Sequence, residues 1–295
     1  MKKNFRSFYN VDDWSKKLND NDVNIIIVLD AYVLCNLYGL EETERDEAIK
    51  YIEIIKHLLW LPYNLSLTYH QAIIPSIRMK CNALLCLKKR IGQLQAEMKQ
   101  MPIPYNQRKE FDGCAKNLQT SLTKRLAYLK KQVESDNDLR EKIAELYKDR
   151  VGGTEHDPDP GSYLIQSYES ESNDVFSTDS LFDVNGMGCS ASNSKEWNDV
   201  ILHTLIQLSK KKECDILYVI SKESAYWMTI LGKTKYGLSP KHGMYFNKET
   251  FGHNLQVWTF ETLIRTISKE KKMKLPDELS RMLRVYDYGS SKEDI

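Results

Sequence analysis

The chain has 295 residues, 41% apolar and 28% charged, with 42 basic against 41 acidic residues and a formal net charge of +1. That excludes a disordered or fibrous chain and suffices for one large α/β domain or a domain with a sizeable insertion. No apolar stretch approaches the roughly 20 residues needed to span a bilayer, and Met1 to Asp12 lacks a signal peptide's apolar core, so a cytoplasmic protein with no membrane partner is expected.

Chemistry first shows at Ile25 to Leu29, a run of branched apolar residues that ends on Asp30 and passes into a second apolar segment, Ala31 to Leu40. Such a run reads as a strand buried on both faces, the habit of parallel sheets covered by helices. Ligand-binding groups in those sheets collect beyond the carboxyl ends of strands, which is where Asp30 stands. Asp is also a favoured helix N-cap, and both readings are open at this point.

Thr43 to His57 carries Ala48, Ile52 and Ile55 at helical spacing, and Leu58 to Leu61 reads as a short strand stopped by Pro62. From Leu65 to about Gln100 the pattern is helical, with a kink expected at Pro75. Two prolines break the chain between Met101 and Tyr105, and Asn106 to Arg150 resumes as one long helix with Leu118, Leu122, Leu126 and Leu129 as its apolar stripe. Two long helices joined by a Pro-containing turn predict a helical hairpin.

Charge is uneven along these segments. Arg78 to Arg150 holds 17 basic residues against 9 acidic, whereas Val151 to Asp199 holds 10 acidic residues and a single base, Lys195. Lys88, Lys89, Arg90, Lys124, Arg125, Lys130 and Lys131 read either as a solvated face or as an arm that tracks phosphates. Val151 to Ser194, rich in Gly, Ser, Asp, Asn and Pro, predicts an acidic mobile loop.

Order returns at Asn193, which with Glu196 has capping-box spacing, ahead of the stripe Trp197, Ile201, Leu205 and Leu208. Ile216 to Ile220 is a second apolar strand and Leu255 to Phe260 a third, followed by helices over Glu261 to Ile267 and Pro276 to Tyr286. Six cysteines, Cys35, Cys81, Cys86, Cys114, Cys189 and Cys214, form no CxxC pair, which argues against a zinc knuckle or a disulfide framework. The expected plan is a mostly parallel α/β domain from residues 1–76 and 193–295, a helical insertion over 77–150 and an acidic loop over 151–192.

These pieces, in this order, resemble the PIN-like nuclease domain family, in particular its prokaryotic subtype with a long helical insertion. The subtype opens with a strand followed by Asp-x-Asn-x-Leu and Leu-Tyr; here Asp30 is kept, Tyr32 replaces the Asn, and Leu37 and Tyr38 follow. A Trp-x-Pro signal leading to a helical Glu is matched by Trp60, Leu61 and Pro62, then Thr68 where the acid would stand, with Tyr69 after it. Gly-Asp opening an apolar helix corresponds to Asn198 and Asp199, and a strand closing Val-Thr-Asp-Asp, with a Trp beyond, corresponds to Val219, Ile220, Ser221, Lys222 and Trp227.

The resemblance therefore implies an acidic cluster of which Asp30 and Asp199 survive, while Thr68, Ser221 and Lys222 occupy acid positions. PIN-type hydrolysis uses Mg²⁺ or Mn²⁺ to orient and acidify a water, and those hard ions want several carboxylate oxygens. With two acids left, no cofactor is certain. Lys222 at an acid position predicts a salt bridge to Asp30 or Asp199 in place of the metal. In the competing view Glu196 and Glu223 substitute for the lost acids and the chain is an active metal-dependent ribonuclease.

Three functions follow: binding of single-stranded RNA or DNA without cleavage, residual cleavage, or a regulatory role beside a protein partner in a prokaryotic toxin or anti-phage system. Tyr105 and Tyr128 are candidate stacking residues on the arm. The histidines have no ligand-like spacing, and no nucleophile elbow or phosphate-binding glycine loop is present.

Overall fold

Three apolar runs build one parallel sheet: β1 (Ile25–Leu29), β2 (Asp215–Ile220) and β5 (Leu255–Thr259), in the order β1-β2-β5. The computed structural model describes residues 24–135, 138–152, 195–221, 227–230, 236–277 and 279–281, with Trp14, Leu18 and Leu283. β1 pairs with β2 from Ile25↔Asp215 to Leu29↔Val219, and β2 pairs with β5 from Ile216↔Leu255 to Ile220↔Thr259. Every residue of β5 and all but the first of β2 are buried, the condition that makes a strand apolar at consecutive positions.

Parallel pairing requires crossovers, and helices supply them. α1 (Ala31–Leu37) and α2 (Glu42–Ile54) follow β1; α3 (Tyr63–Gln100), α4 (Tyr105–Ser135) and α5 (Asp138–Leu146) come next, and α6 (Lys195–Lys212) leads into β2. Between β2 and β5 lie an antiparallel pair, β3 (Met228–Ile230) with β4 (Tyr236–Leu238), and α7 (Pro240–Glu249); α8 (Phe260–Glu270) follows β5.

Several sequence expectations change here. The strand expected over Leu58 to Leu61 is reduced to two parallel bridges, Ile27↔Leu59 and Leu61↔Val151, because Leu58 closes a 3-10 turn on one side and Pro62 ends pairing on the other. Phe260 opens α8 instead of closing β5, since the Thr259 hydroxyl accepts the Thr262 amide as an N-cap. The helix expected from Asn106 to Arg150 is described as α4 up to Ser135 and as α5 from Asp138 to Leu146, with residues 136 and 137 outside the described residues. β3, β4 and α7 carry too few apolar residues in register to be read in advance.

Leu122, Leu126 and Leu129 are buried as the stripe predicts, but Leu118 is 47% exposed. α3 runs through Pro75, which is exposed and denies the Gln71 carbonyl its intrahelical donor. The root of the α3–α4 hairpin joins the main core through Leu129 and the flanking Cys81, Leu84 and Tyr128. Further out the hairpin has a small core of its own, Ile91, Ala115 and Leu122 with Leu84 and Phe111 against it. Among the described residues no helix is long and apolar enough to cross a membrane.

Candidate functional site

Asp30 sits one residue past the end of β1, where its amide donates to the Val219 carbonyl at 2.8 Å and its carbonyl accepts the Val33 amide at 2.9 Å. The residue is thus pinned between the carboxyl end of β2 and the first turn of α1. It holds the N-cap position with extended backbone, yet its side chain makes no capping hydrogen bond, so the position matches the capping reading and the bond does not. Burial pushes the Asp30 carboxyl up to about 6, while the Tyr218 hydroxyl and the amides of Ala31 and Tyr32 oppose that rise from nearby. A carboxylate surrounded by neutral donors is costly to ionise, and an added cation would lower that cost.

Tyr218 comes from the middle of β2, and burial with the Asp30 carboxyl beside it holds its phenol far above the ordinary range. Its ring packs on Trp227 at 5.1 Å between centroids, and the Trp227 indole donates to Asn198 Oδ1 at 2.9 Å. Asn198, where the resemblance has glycine, therefore supplies an acceptor that glycine lacks. Asp199 follows it on α6, is exposed, and opposes the fall in pKa that burial and Lys241 cause in His242. The Trp227 and His242 rings are 6.0 Å apart. Asp30 and Asp199 thus stand at the same end of the sheet, linked through Tyr218, Trp227 and Asn198.

The positions at which the resemblance expects acids differ from one another. Thr68 is buried on α3 and its hydroxyl donates to the Asn64 carbonyl one turn back, at 2.9 Å; Asn64 in turn donates to the Thr204 hydroxyl of α6 at 3.1 Å. Ser221 follows β2 and is half-buried. The side chain of Glu196, and Lys222 and Glu223 entirely, lie outside the described residues, as does the 153–194 segment read as an acidic loop. Among the described residues no three His, Cys, Asp or Glu side chains gather to hold a metal ion. Two aspartates, one of them exposed, do not make the oxygen cage that Mg²⁺ or Mn²⁺ requires, so the described donor set does not fit that metal.

On the hairpin the seven basic residues separate into two kinds. Arg125 pairs with Glu41, donates to the Gly39 carbonyl and lies 5.0 Å over the Tyr128 ring, while Tyr128 donates to the Leu40 carbonyl at 3.0 Å. These contacts tie the hairpin root to the turn after α1. Lys88 donates to Thr123 across the hairpin at 2.9 Å. Lys89, Arg90, Lys124, Lys130 and Lys131 are exposed, and Tyr105 at the hairpin turn is 74% exposed.

Sequence reasoning did not single out Tyr218, His242 or the role of Asn198. The one available signal was Tyr218 itself, the sole hydroxyl in the apolar run Ile216 to Ile220. Cys35, on α1, faces the Tyr69 carbonyl at 3.8 Å, and burial pushes its thiol up to about 12, which makes it inert as a nucleophile. No curated protein and no solved structure matches the chain. Residues 26–160, from β1 through the hairpin and past Val151, match the family model described as a PIN like domain, which supports a PIN-like nuclease domain over that segment.

Proposed function

We propose that the chain is a PIN-like protein with an eroded acidic centre, a catalytically weak or inactive subunit that binds single-stranded nucleic acid. The observation that carries this reading is the setting of Asp30: a buried carboxyl whose described neighbours are a phenol and two backbone amides, with Thr68 turned into its own helix. Lys222, next in sequence to Ser221, is proposed as the counter-charge for Asp30 or Asp199. Lys89, Arg90, Lys124, Lys130 and Lys131 are proposed as phosphate contacts, with Lys88 and Arg125 holding the hairpin that presents them. A place beside a protein partner in a prokaryotic defence or toxin system is supported by the family resemblance.

One observation favours the runner-up, an active ribonuclease. Asp30 and Asp199 stand at the same end of the sheet, linked through Tyr218, Trp227 and Asn198. The test is incubation of the full chain with labelled single-stranded RNA and Mn²⁺, beside Asp30→Ala. The expected result is RNA retention with negligible cleavage in both proteins. Metal-dependent cutting that disappears in Asp30→Ala would establish the nuclease instead.

A further inference from the structure

At the opposite end of the sheet from Asp30, the turn after α7 holds Phe251 at φ 58° and Gly252 at φ 114°, with Phe251 93% exposed. The left-handed region suits Gly, Asn or Asp, and an aromatic residue there is an outlier. The turn is not loose. Gly252 N–H donates to the Asn247 carbonyl at 2.9 Å, and the Thr250 hydroxyl donates to the Phe246 carbonyl at 2.8 Å. Phe251 thus bears a disfavoured backbone, which closes the end of α7 through Gly252, and a solvated ring from which the core gains nothing.

The ring's surroundings are basic. Lys210 Nζ lies 5.9 Å from the Phe251 centroid and 3.6 Å from Glu249 Oε2, so Glu249 steadies it beside the ring. Lys211 and Lys248 are exposed, and Lys212 Nζ sits 4.2 Å over the Trp60 ring, itself fixed by donation to the Gly152 carbonyl at 2.9 Å. Lysines at the end of α6 favourably meet its dipole, and that accounts for the charges. It does not account for an aromatic ring held out beside them. Glu213, Glu249 and Asp215, the last tied to Asn254, are the acids at this end, fewer than the four lysines.

We infer that Phe251 with Lys210, Lys211, Lys212 and Lys248 forms a platform for single-stranded nucleic acid, the ring stacking on an unpaired base and the lysines meeting its phosphates. A ring face accepts any unpaired base, whereas bases in a duplex are already stacked. The ligand class is that of the function proposed above; the site is separate from both the Asp30 edge and the hairpin.

The test is fluorescence anisotropy of the full chain with labelled oligo(U), oligo(dT) and a blunt duplex, at about 50 and about 200 mM salt. Phe251→Asn, which suits the left-handed backbone, weakens single-strand binding about tenfold with an unchanged salt slope and an unchanged or higher melting temperature. Duplex binding does not respond. Joint replacement of Lys210, Lys211 and Lys212 by Gln lowers the salt slope. If Lys89→Gln with Lys124→Gln abolishes binding while Phe251→Asn does nothing, this platform is overturned and nucleic-acid binding stands. No binding at the lower salt overturns both. Polyglutamate competing as well as oligo(U) for a Phe251-dependent site would overturn the nucleic-acid assignment in favour of an acidic protein partner.

Discussion

Two aspartates stand at opposite ends of the same parallel sheet and are treated differently by it. Asp215, at the start of β2, accepts the Asn254 amide at 2.9 Å and its side-chain amide at 3.3 Å, with His253 Nδ1 at 3.8 Å. It stitches β2 to the turn before β5. Asp30, past the end of β1, is buried with no capping bond, and burial dominates its titration. Strand-end carboxylates of the same chemistry therefore differ in depth of burial: hydrogen bonds from Asn254 tie down Asp215, whereas those from Tyr218, Ala31 and Tyr32 do not offset the burial of Asp30.

The largest test of this contrast removes the wall beside Asp30. Trp227 is buried between Tyr218 and Asn198, and Trp227→Ala is expected to cost about 3–5 kcal/mol by urea denaturation, as truncation of a core aromatic does. A much smaller loss would mean that the edge around Asp30 is loosely packed, and the contrast with Asp215 would weaken.

Next comes Asp30→Asn, for which the two ends predict opposite signs. The folded-state pKa of Asp30, about 6, is above the ordinary carboxylate value, so the native chain holds a proton that the unfolded chain has released. Stability therefore falls as pH rises from about 4 to about 6, and above that the full cost, about 3 kcal/mol, is present. Asp30→Asn is expected to flatten this dependence and raise the urea midpoint at pH 8, with little change at pH 4. Destabilisation at pH 8 would reveal a cation already paired with Asp30, Lys222 or a metal, and calorimetry with Mn²⁺ separates the two. At the other end, Asp215→Ala is expected to lose about 1–3 kcal/mol because it strands the Asn254 donors.

How much of this was legible in the sequence follows from the range of each interaction. β1, β2 and β5 announced themselves as consecutive apolar residues because burial on both faces is a local compositional demand. Asp30 could be placed at a strand end for the same reason. Tyr218 could not be joined to it, since the β1-β2 register that puts Tyr218 opposite Val28 is a tertiary fact. Arg125 read as one more charge on a basic arm, while its partner Glu41 lies 84 residues away. The Trp227 indole meets Asn198 across 29 residues and a change of element, so the motif pointed to the tryptophan and not to its acceptor.

The smallest expected effect bounds how far the functional end extends. Thr68 stands where the resemblance has an acid, yet its hydroxyl donates to a carbonyl of its own helix at 2.9 Å. That carbonyl has the helix ladder as well, so losing the hydroxyl strands little. Thr68→Val is therefore expected to change stability by no more than about 0.5 kcal/mol and to leave the pH at which Asp30 titrates unmoved. The measurement is urea denaturation across pH 4 to 8 beside Asp30→Asn, which supplies the flat reference. If Thr68→Val shifts the wild-type inflection, the hydroxyl reaches Asp30 in solution. The polar site would then extend across α3, and the lost acid would have a working substitute where the geometry assigns only a helix residue.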